Sequence, residues 1–424
     1  MGKRVEAICV AAVLLVNLIL PLYDVNAESK PVYSINPSSK TYRNNMMNFT
    51  TYNSHTKHYY LLRSYLERLE QKGGGTLVLK KGTYTISNTL YVPSNVTIKM
   101  EDGVKVMKGN KTGTSMFASA KSIFQLIRPT KSSKRSVYGQ YNGEKNISLI
   151  GEGSVIIDMK YEKDGIAIIM GHNKNIKVEN IHFKNMHSGH FIEMDASEDV
   201  AIRKNSFTDS KASENVNKEA INLDTPDKNT NGWSQAWSTY DKTPNKNVII
   251  ENNQFKNLDR AVGTHKYSEG KYHDNIVIRN NIIEKTRSDA IRVMNWSNAE
   301  ITNNIIKDVE NGKEGTRGIL ASGATNPTFK KNTFQKVGRT IQFMAWENSG
   351  PGSTYKTTYN RLNKKNKKDL TNNIAIDTDE TFIRINNSYN EYILNTEKID
   401  LVGQENALKR GMNKFIPLFY ADRA

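Results

Sequence analysis

One short phrase, repeated six times through the middle of the chain, constrains the fold more than any other feature. It occurs at Asn175–Phe183 (NIKVENIHF), Asp199–Phe207 (DVAIRKNSF), Asn247–Phe255 (NVIIENNQF), Asn275–Ile283 (NIVIRNNII), Asn298–Ile306 (NAEITNNII) and Asn326–Phe334 (NPTFKKNTF). The starts are 24, 48, 28, 23 and 28 residues apart, the 48 being two short periods or one coil with a long insertion. Repeats of this length mean a solenoid. Each phrase alternates apolar and polar residues and is rich in β-branched side chains, which is a strand signature, with none of the 3.6-residue periodicity of helical repeats.

Superposing the phrases stacks like on like. Asn205, Asn253, Asn281, Asn304 and Asn332 fall in one column, as an internal ladder of hydrogen-bonded amides would. Phe183, Phe207, Phe255, Ile283, Ile306 and Phe334 fall in another, as a stacked core would. Both columns predict an all-β chain wound as a parallel β-helix, in which each coil buries its apolar face only against its neighbours. Chance alternation in a β-sandwich would not align identical residues.

A solenoid has two open ends. Tyr59–Gln71 (YYLLRSYLERLEQ) reads as an amphipathic helix that meets Gly73-Gly74-Gly75 and is expected to cap the first coil. Residues 28–56 lack periodicity and read as an arm. Residues 350–368 are polar and lysine-rich and read as a loop, and alternation in Ile374–Ile385 and Tyr392–Val402 suggests further coils. The β-helix domain is therefore drawn over residues 57–402, with 403–424 as a tail.

The N-terminus carries the pattern of an export signal. Lys3 and Arg4 precede an apolar stretch from Ala7 to Leu22, and Val25-Asn26-Ala27 supplies small residues for cleavage, giving a signal peptide over 1–27. The single cysteine, Cys9, lies inside that segment, so the mature chain must be held by a packed core without disulfides. No later apolar run approaches the ~20 residues that span a bilayer. Lys and Arg number 60 against 43 Asp and Glu, a net charge of +17. That excess suits an anionic polymer, while the lack of zinc-finger spacing or an RNP motif argues against nucleic acid.

The segment Leu66–Tyr84 (LERLEQKGGGTLVLKKGTY), followed by Val92-Pro93-Ser94-Asn95-Val96, resembles the opening of the pectate-lyase-like superfamily. The resemblance spans roughly residues 57–400. It implies a right-handed parallel β-helix with an N-terminal capping helix. It does not select a reaction, since that superfamily holds lyases, hydrolases, epimerases and catalytically inert spikes.

A second strand precedes each phrase, and one buried apolar residue aligns these strands: Ile192, Ile221, Val262, Ile291, Ile319 and Ile341. Period-two alternation then puts the columns one and three positions later on the opposite face, and the column two positions earlier, at the start of the strand, is read with them. Two positions earlier stand His190, Glu219, Arg260, Asp289, Arg317 and Arg339. One position later stand Glu193, Asn222, Gly263, Arg292, Leu320 and Gln342. Three positions later stand Asp195, Asp224, His265, Met294, Ser322 and Met344. The preceding coil offers only Ile166, Ile169 and Gly171 there, so the chemistry is concentrated on four rungs from His190 to Arg292. Glu219, Arg260 and Asp289 alternate in sign and suit a structural ion ladder. Asp195, Asp224 and His265 are less balanced, and rungs only ~4.8 Å apart should raise at least one carboxyl pKa.

Two long loops leave these strands. Pro226–Pro244 carries Trp233 and Trp237, and Lys266–His273 begins with Lys266 and Tyr267. Their rings are expected either to stack on sugar faces or to pin the loops to the solenoid. Glu193 and Asp224 are offset by one rung and two residues, about 8 Å between backbones, inside the ~6.5–9.5 Å window of inverting glycosidases. This predicts a secreted glycoside hydrolase acting on an anionic extracellular glycan, with Asp224, Glu193, Asp195 and His265 as catalytic candidates. Arg292, Arg260, Glu219, His190, Trp233, Trp237, Lys266 and Tyr267 are the binding candidates. Asp289–Met294 (DAIRVM) resembles a strand motif of the polygalacturonase-like hydrolases, which would make Arg292 a binder of a substrate carboxylate. No cofactor is called for. Two alternatives stay open. One is β-elimination on a uronic-acid polymer, with His265, Lys266 or Tyr267 as base and a calcium held by Glu193, Asp195 and Asp224. The other is a non-catalytic glycan-binding solenoid.

Overall fold

The computed structural model describes residues 29–347, 356–386 and 396–401. The expected signal peptide over 1–27 and the tail over 403–424 lie outside the described residues, as does the first part of the alternation predicted over 392–402.

Three strands per turn build the solenoid. Lys174–Glu179, His182–His187 and His190–Asp195 form one coil, and each pairs in parallel with its counterpart one coil later, Glu198–Arg203, Ser206–Lys211 and Glu219–Asp224. The repeated phrase is thus two strands joined by a sharp corner, and the corner explains its asparagines. Asn252, Asn280 and Asn303 take a positive φ of 56°, which Asn tolerates better than other side chains. The following Asn253, Asn281 and Asn304 turn inward. Each Nδ2 donates to the next Oδ1 at 3.0–3.2 Å from Asn205 to Asn332. Asn373 extends this ladder by one step at 3.0 Å.

The core follows the predicted columns. Phe183 pairs in register with Phe207, then Phe255, Ile283, Ile306 and Phe334. Rings 183/207 and 207/255 stack at 5.0 Å, 9° and 11° from parallel. Helix α1 (Lys57–Gln71) lays Leu62, Leu66 and Leu69 on the first coil, and the glycines beyond it let the backbone pass close to Asn95.

Three expectations need correction. The arm over 28–56 is not only an arm, because Val32–Ile35 pairs in parallel with Thr76–Leu79 and closes the sheet edge beside α1. The Lys-rich segment contains helix α2 (Lys364–Leu370), started by a capping box between Asn363 and Asn366 and seated by buried Leu370. The last strand, Thr396–Asp400, pairs antiparallel with Phe382–Asn386 instead of adding a parallel coil. Only residues 387–395 join the two, fewer than the dozen or so a parallel crossover requires. Among the described residues no helix is long and apolar enough to cross a membrane.

Candidate functional site

The register of the site strands is the one the sequence implies. Ile192, Ile221, Val262, Ile291, Ile319 and Ile341 form one inward column, and Glu193, Asn222, Gly263 and Arg292 stand side by side on the outer face. Asp195 pairs with Asp224 and, on the other side, with Gly171. The outer face is not open to solvent, however. Loops fold over it and leave a cavity of about 250 Å³ lined by His190, Glu193, Lys218, Asn222, Asp224, Trp233, His265 and Lys266, with Asp164 and Ser188 at its margin.

Glu193 and Asp224 reach this cavity from adjacent rungs but have different surroundings. Asp224 is 2% exposed, and its Oδ1 accepts the main-chain N–H groups of His265 and Lys266, both at 2.8 Å. Burial dominates and lifts its carboxyl to about 7, against the pull of those two amides. Glu193 accepts one amide hydrogen from Asn222 at 3.1 Å. Burial and the neighbouring Asp224 raise its pKa well above the carboxylate range. His190 donates from Nδ1 to the Glu219 carbonyl at 2.6 Å, which leaves Nε2 as an acceptor 3.5 Å from Glu193 Oε2. Burial lowers the His190 pKa to about 4, so the ring is neutral. His265 is likewise neutral, pushed to about 3 by burial and by Lys218.

Asp195 lies on the same face, in register beside Asp224 on the adjacent rung. It is fully buried, and neither carboxyl oxygen has a hydrogen-bond partner among the described residues. Burial, then Glu193 and Asp224, hold its pKa well above the ordinary aspartate value. It does not line the cavity. Glu219 is also enclosed, tied to Arg260 at 3.2 Å. Arg260 reaches on to Asp289 at 3.4 Å, and Asp289 meets Arg317 at 3.4 Å, a continuous ion ladder.

Five of the eight binding candidates do not line the cavity: Glu219 and Arg260 of the ion ladder, and Arg292, Tyr267 and Trp237. Arg292 is 4% exposed, donates to the Val293 and Leu320 carbonyls and to Ser322, and lies over the Trp346 ring at 5.6 Å. Tyr267 packs with Met294 and Trp346. Trp237 packs with Ile127, Tyr138 and Ile169, and its Nε1 donates to Gln125 at 3.4 Å. Trp233 meets Trp237 edge-on at 5.3 Å and also lines the cavity. Of Glu193, Asp195, Asp224, His265 and Arg292 on the four rungs, only Glu193, Asp224 and His265 line the cavity, while Asp195 is buried beside Asp224 and Arg292 lies outside it. Alternation identifies the face of a sheet on which a side chain lies, not whether a distant loop covers that face. Asn222 and Lys218 were the residues most easily overlooked. Asn222 shares a column with Glu193, and Lys218 directly precedes Glu219, but neither residue type signals catalysis.

Glu193 and Asp224 each commit an oxygen to an amide donor, and among the described residues no three His, Cys, Asp or Glu groups converge to hold a metal.

No family model matches the chain. It is 22% identical to the plasmin and fibronectin-binding protein A of Streptococcus pneumoniae over 297 residues, 65% of this chain and 40% of that protein. The chain thus spans well under half the length of that relative. Two structures of the Streptococcus pneumoniae surface adhesin PfbA superpose with a TM-score of 0.55. Their identities are 15% and 16%, covering 84% and 85% of this chain and 91% and 81% of theirs. A family 28 exopolygalacturonase from Yersinia enterocolitica gives a TM-score of 0.49 at 13% identity, over 77% of this chain and 63% of its own. Parallel pairing coil upon coil, the capping helix and the likeness to the two PfbA structures together give the chain a right-handed parallel β-helix fold.

Proposed function

We propose that this protein is an extracellular enzyme that hydrolyses an anionic polysaccharide. The observation that carries the proposal is the pair of cavity carboxyls with divided environments, which is how one site supplies both an acid and a base. Glu193, whose proton is held more tightly by burial and which faces His190 Nε2, donates that proton to the glycosidic oxygen as the C–O bond breaks. Asp224, whose charge two main-chain amides favour, accepts a proton from the water whose oxygen bonds to the anomeric carbon. Solvent then returns the proton from Asp224 to Glu193. The one-rung, two-residue offset of their backbones, about 8 Å, leaves room for that water and suits inversion. Lys218 and Lys266 at the cavity supply positive charge for an acidic sugar. Trp233 offers a ring to stack on it.

A second reading, an adhesive β-helix without catalysis, is favoured by the similarity to a surface adhesin. Incubation with a panel of acidic and neutral exopolysaccharides separates the readings. New reducing ends without the ultraviolet absorbance of an unsaturated uronate support hydrolysis, and their loss in Glu193→Gln and Asp224→Asn assigns the pair. The same ends with that absorbance mean β-elimination. Binding without new ends supports adhesion and refutes the enzyme.

A further inference from the structure

The groove that a parallel β-helix offers along its axis is blocked on both sides of the candidate pair. Upstream, Trp233 and Trp237 lie over Gly171, the residue in register with Asp195. A Cβ on Gly171 would stand 2.6 Å from Trp233 and 2.7 Å from Trp237, so the rings occupy that rung's outer surface. The loop carrying them is stitched to a second loop. Ser136 N–H donates to Ala236 O at 3.0 Å, Val137 N–H to Trp237 O at 2.8 Å, and Thr239 N–H to Tyr138 O at 2.8 Å. Ile127 and Ile169 pack beneath the wall they form. Downstream, Arg292 lies under Trp346, and Met294, with Tyr267 packed on it, stands in the column that Asp195 and Asp224 occupy earlier.

What remains is a pocket, not a channel. Its 250 Å³ lies below the about 300–1,000 Å³ of sites for drug-sized ligands, and suits one or two sugar rings. A polymer cut in its interior must enter and leave the site along the groove, and neither direction is open here among the described residues. We propose, building on the hydrolase reading above, that the enzyme acts on chain ends and releases a terminal mono- or disaccharide, with the Trp233/Trp237 wall as the device that imposes this.

The test is a time course of the native protein on the polymer it cleaves, following viscosity, reducing ends and product size together. A single small product from the first time point, with viscosity nearly constant as reducing ends rise, is expected. An early ladder of intermediate oligomers with rapid viscosity loss overturns the inference while leaving the hydrolase reading intact. Absence of new reducing ends on every polymer overturns both. Trp233→Ala, checked for a native melting transition, opens the upstream wall and should add longer products and raise the viscosity loss per reducing end several-fold. A folded variant with unchanged products overturns the role of the wall.

Discussion

Asp224 is held far from its ordinary ionisation, and folding stability reports this without any substrate. In the unfolded chain the carboxyl ionises near 3.8, and in the fold near 7, chiefly because burial penalises its charge. Well below 3.8 both states hold the proton and no penalty arises. Between 3.8 and about 7 the unfolded chain has released a proton that the fold retains, so stability falls as pH rises. Above about 7 the full penalty stands, and at about 1.36 kcal/mol per pH unit it is ~4 kcal/mol. Asp224→Asn removes it, because the amide never ionises. Its Oδ1 can still accept from His265 and Lys266, while its new N–H groups cost about 1–3 kcal/mol if unpaired. That cost is the same at every pH, so the double difference isolates the carboxyl. Relative to the native protein, the variant should gain ~4 kcal/mol more at about pH 8 than at about pH 4. For a chain of this size, with an unfolding entropy of ~0.8 kcal/mol/K, that is ~5 °C in melting temperature. Thermal unfolding followed by circular dichroism at both pH values measures it. An equal change in melting temperature at the two would show that Asp224 titrates normally, and would remove the basis for assigning it a catalytic proton. Activity should be lost in the same variant, so that stability at alkaline pH and catalysis move in opposite directions.

Other outcomes follow from the solenoid itself. Asn281→Ala removes the acceptor of the Asn253 N–H and the donor to Ile250 O, so denaturant unfolding should show a loss of about 2–6 kcal/mol. The outer-ladder change Asn275→Ala, whose Nδ2 meets Asn247 Oδ1 at 3.0 Å on the surface, should cost only the left-handed backbone preference, about 1–2 kcal/mol. Phe255→Ala opens a void beside the Phe207 ring and should cost about 3–5 kcal/mol by the same assay; under 1 kcal/mol would mean that the column is not a tight stack. Gly171→Ala sets a methyl against Trp233 and Trp237, so tryptophan fluorescence should report greater exposure of those rings with the solenoid's circular dichroism unchanged.

Repetition made the fold legible. Every coil solves the same problem, so Asn205 to Asn332 and Phe183 to Phe334 each recur at the same place in the phrase and announce their columns without any three-dimensional information. The same periodicity set the strand register around Glu193 and Asp224, because a period of two leaves only one choice of face once Ile192 and Ile221 are turned inward. Elements that occur once had no such support. The Val32–Ile35 strand, helix α2 and the antiparallel Thr396–Asp400 strand each depend on a local partner, and no repeat marks them.

The site divides along the same line. Which residues share a rung is determined by sequence, since covalent spacing and pleat alone decide it. Which of them meet solvent is decided by tertiary structure, since loops from elsewhere in the chain cover the face. Arg292 and Asp195 carry chemistry-bearing side chains in the right columns, yet one is closed over by Trp346 and the other is fully buried beside Asp224. Trp237 is an aromatic on a long loop, yet its ring is a fastener against Tyr138 and Ile169. The perturbed carboxyls themselves arise only in the fold, because the burial that lifts Asp224 exists only after the 226–244 loop and the backbone of His265 and Lys266 have closed around it.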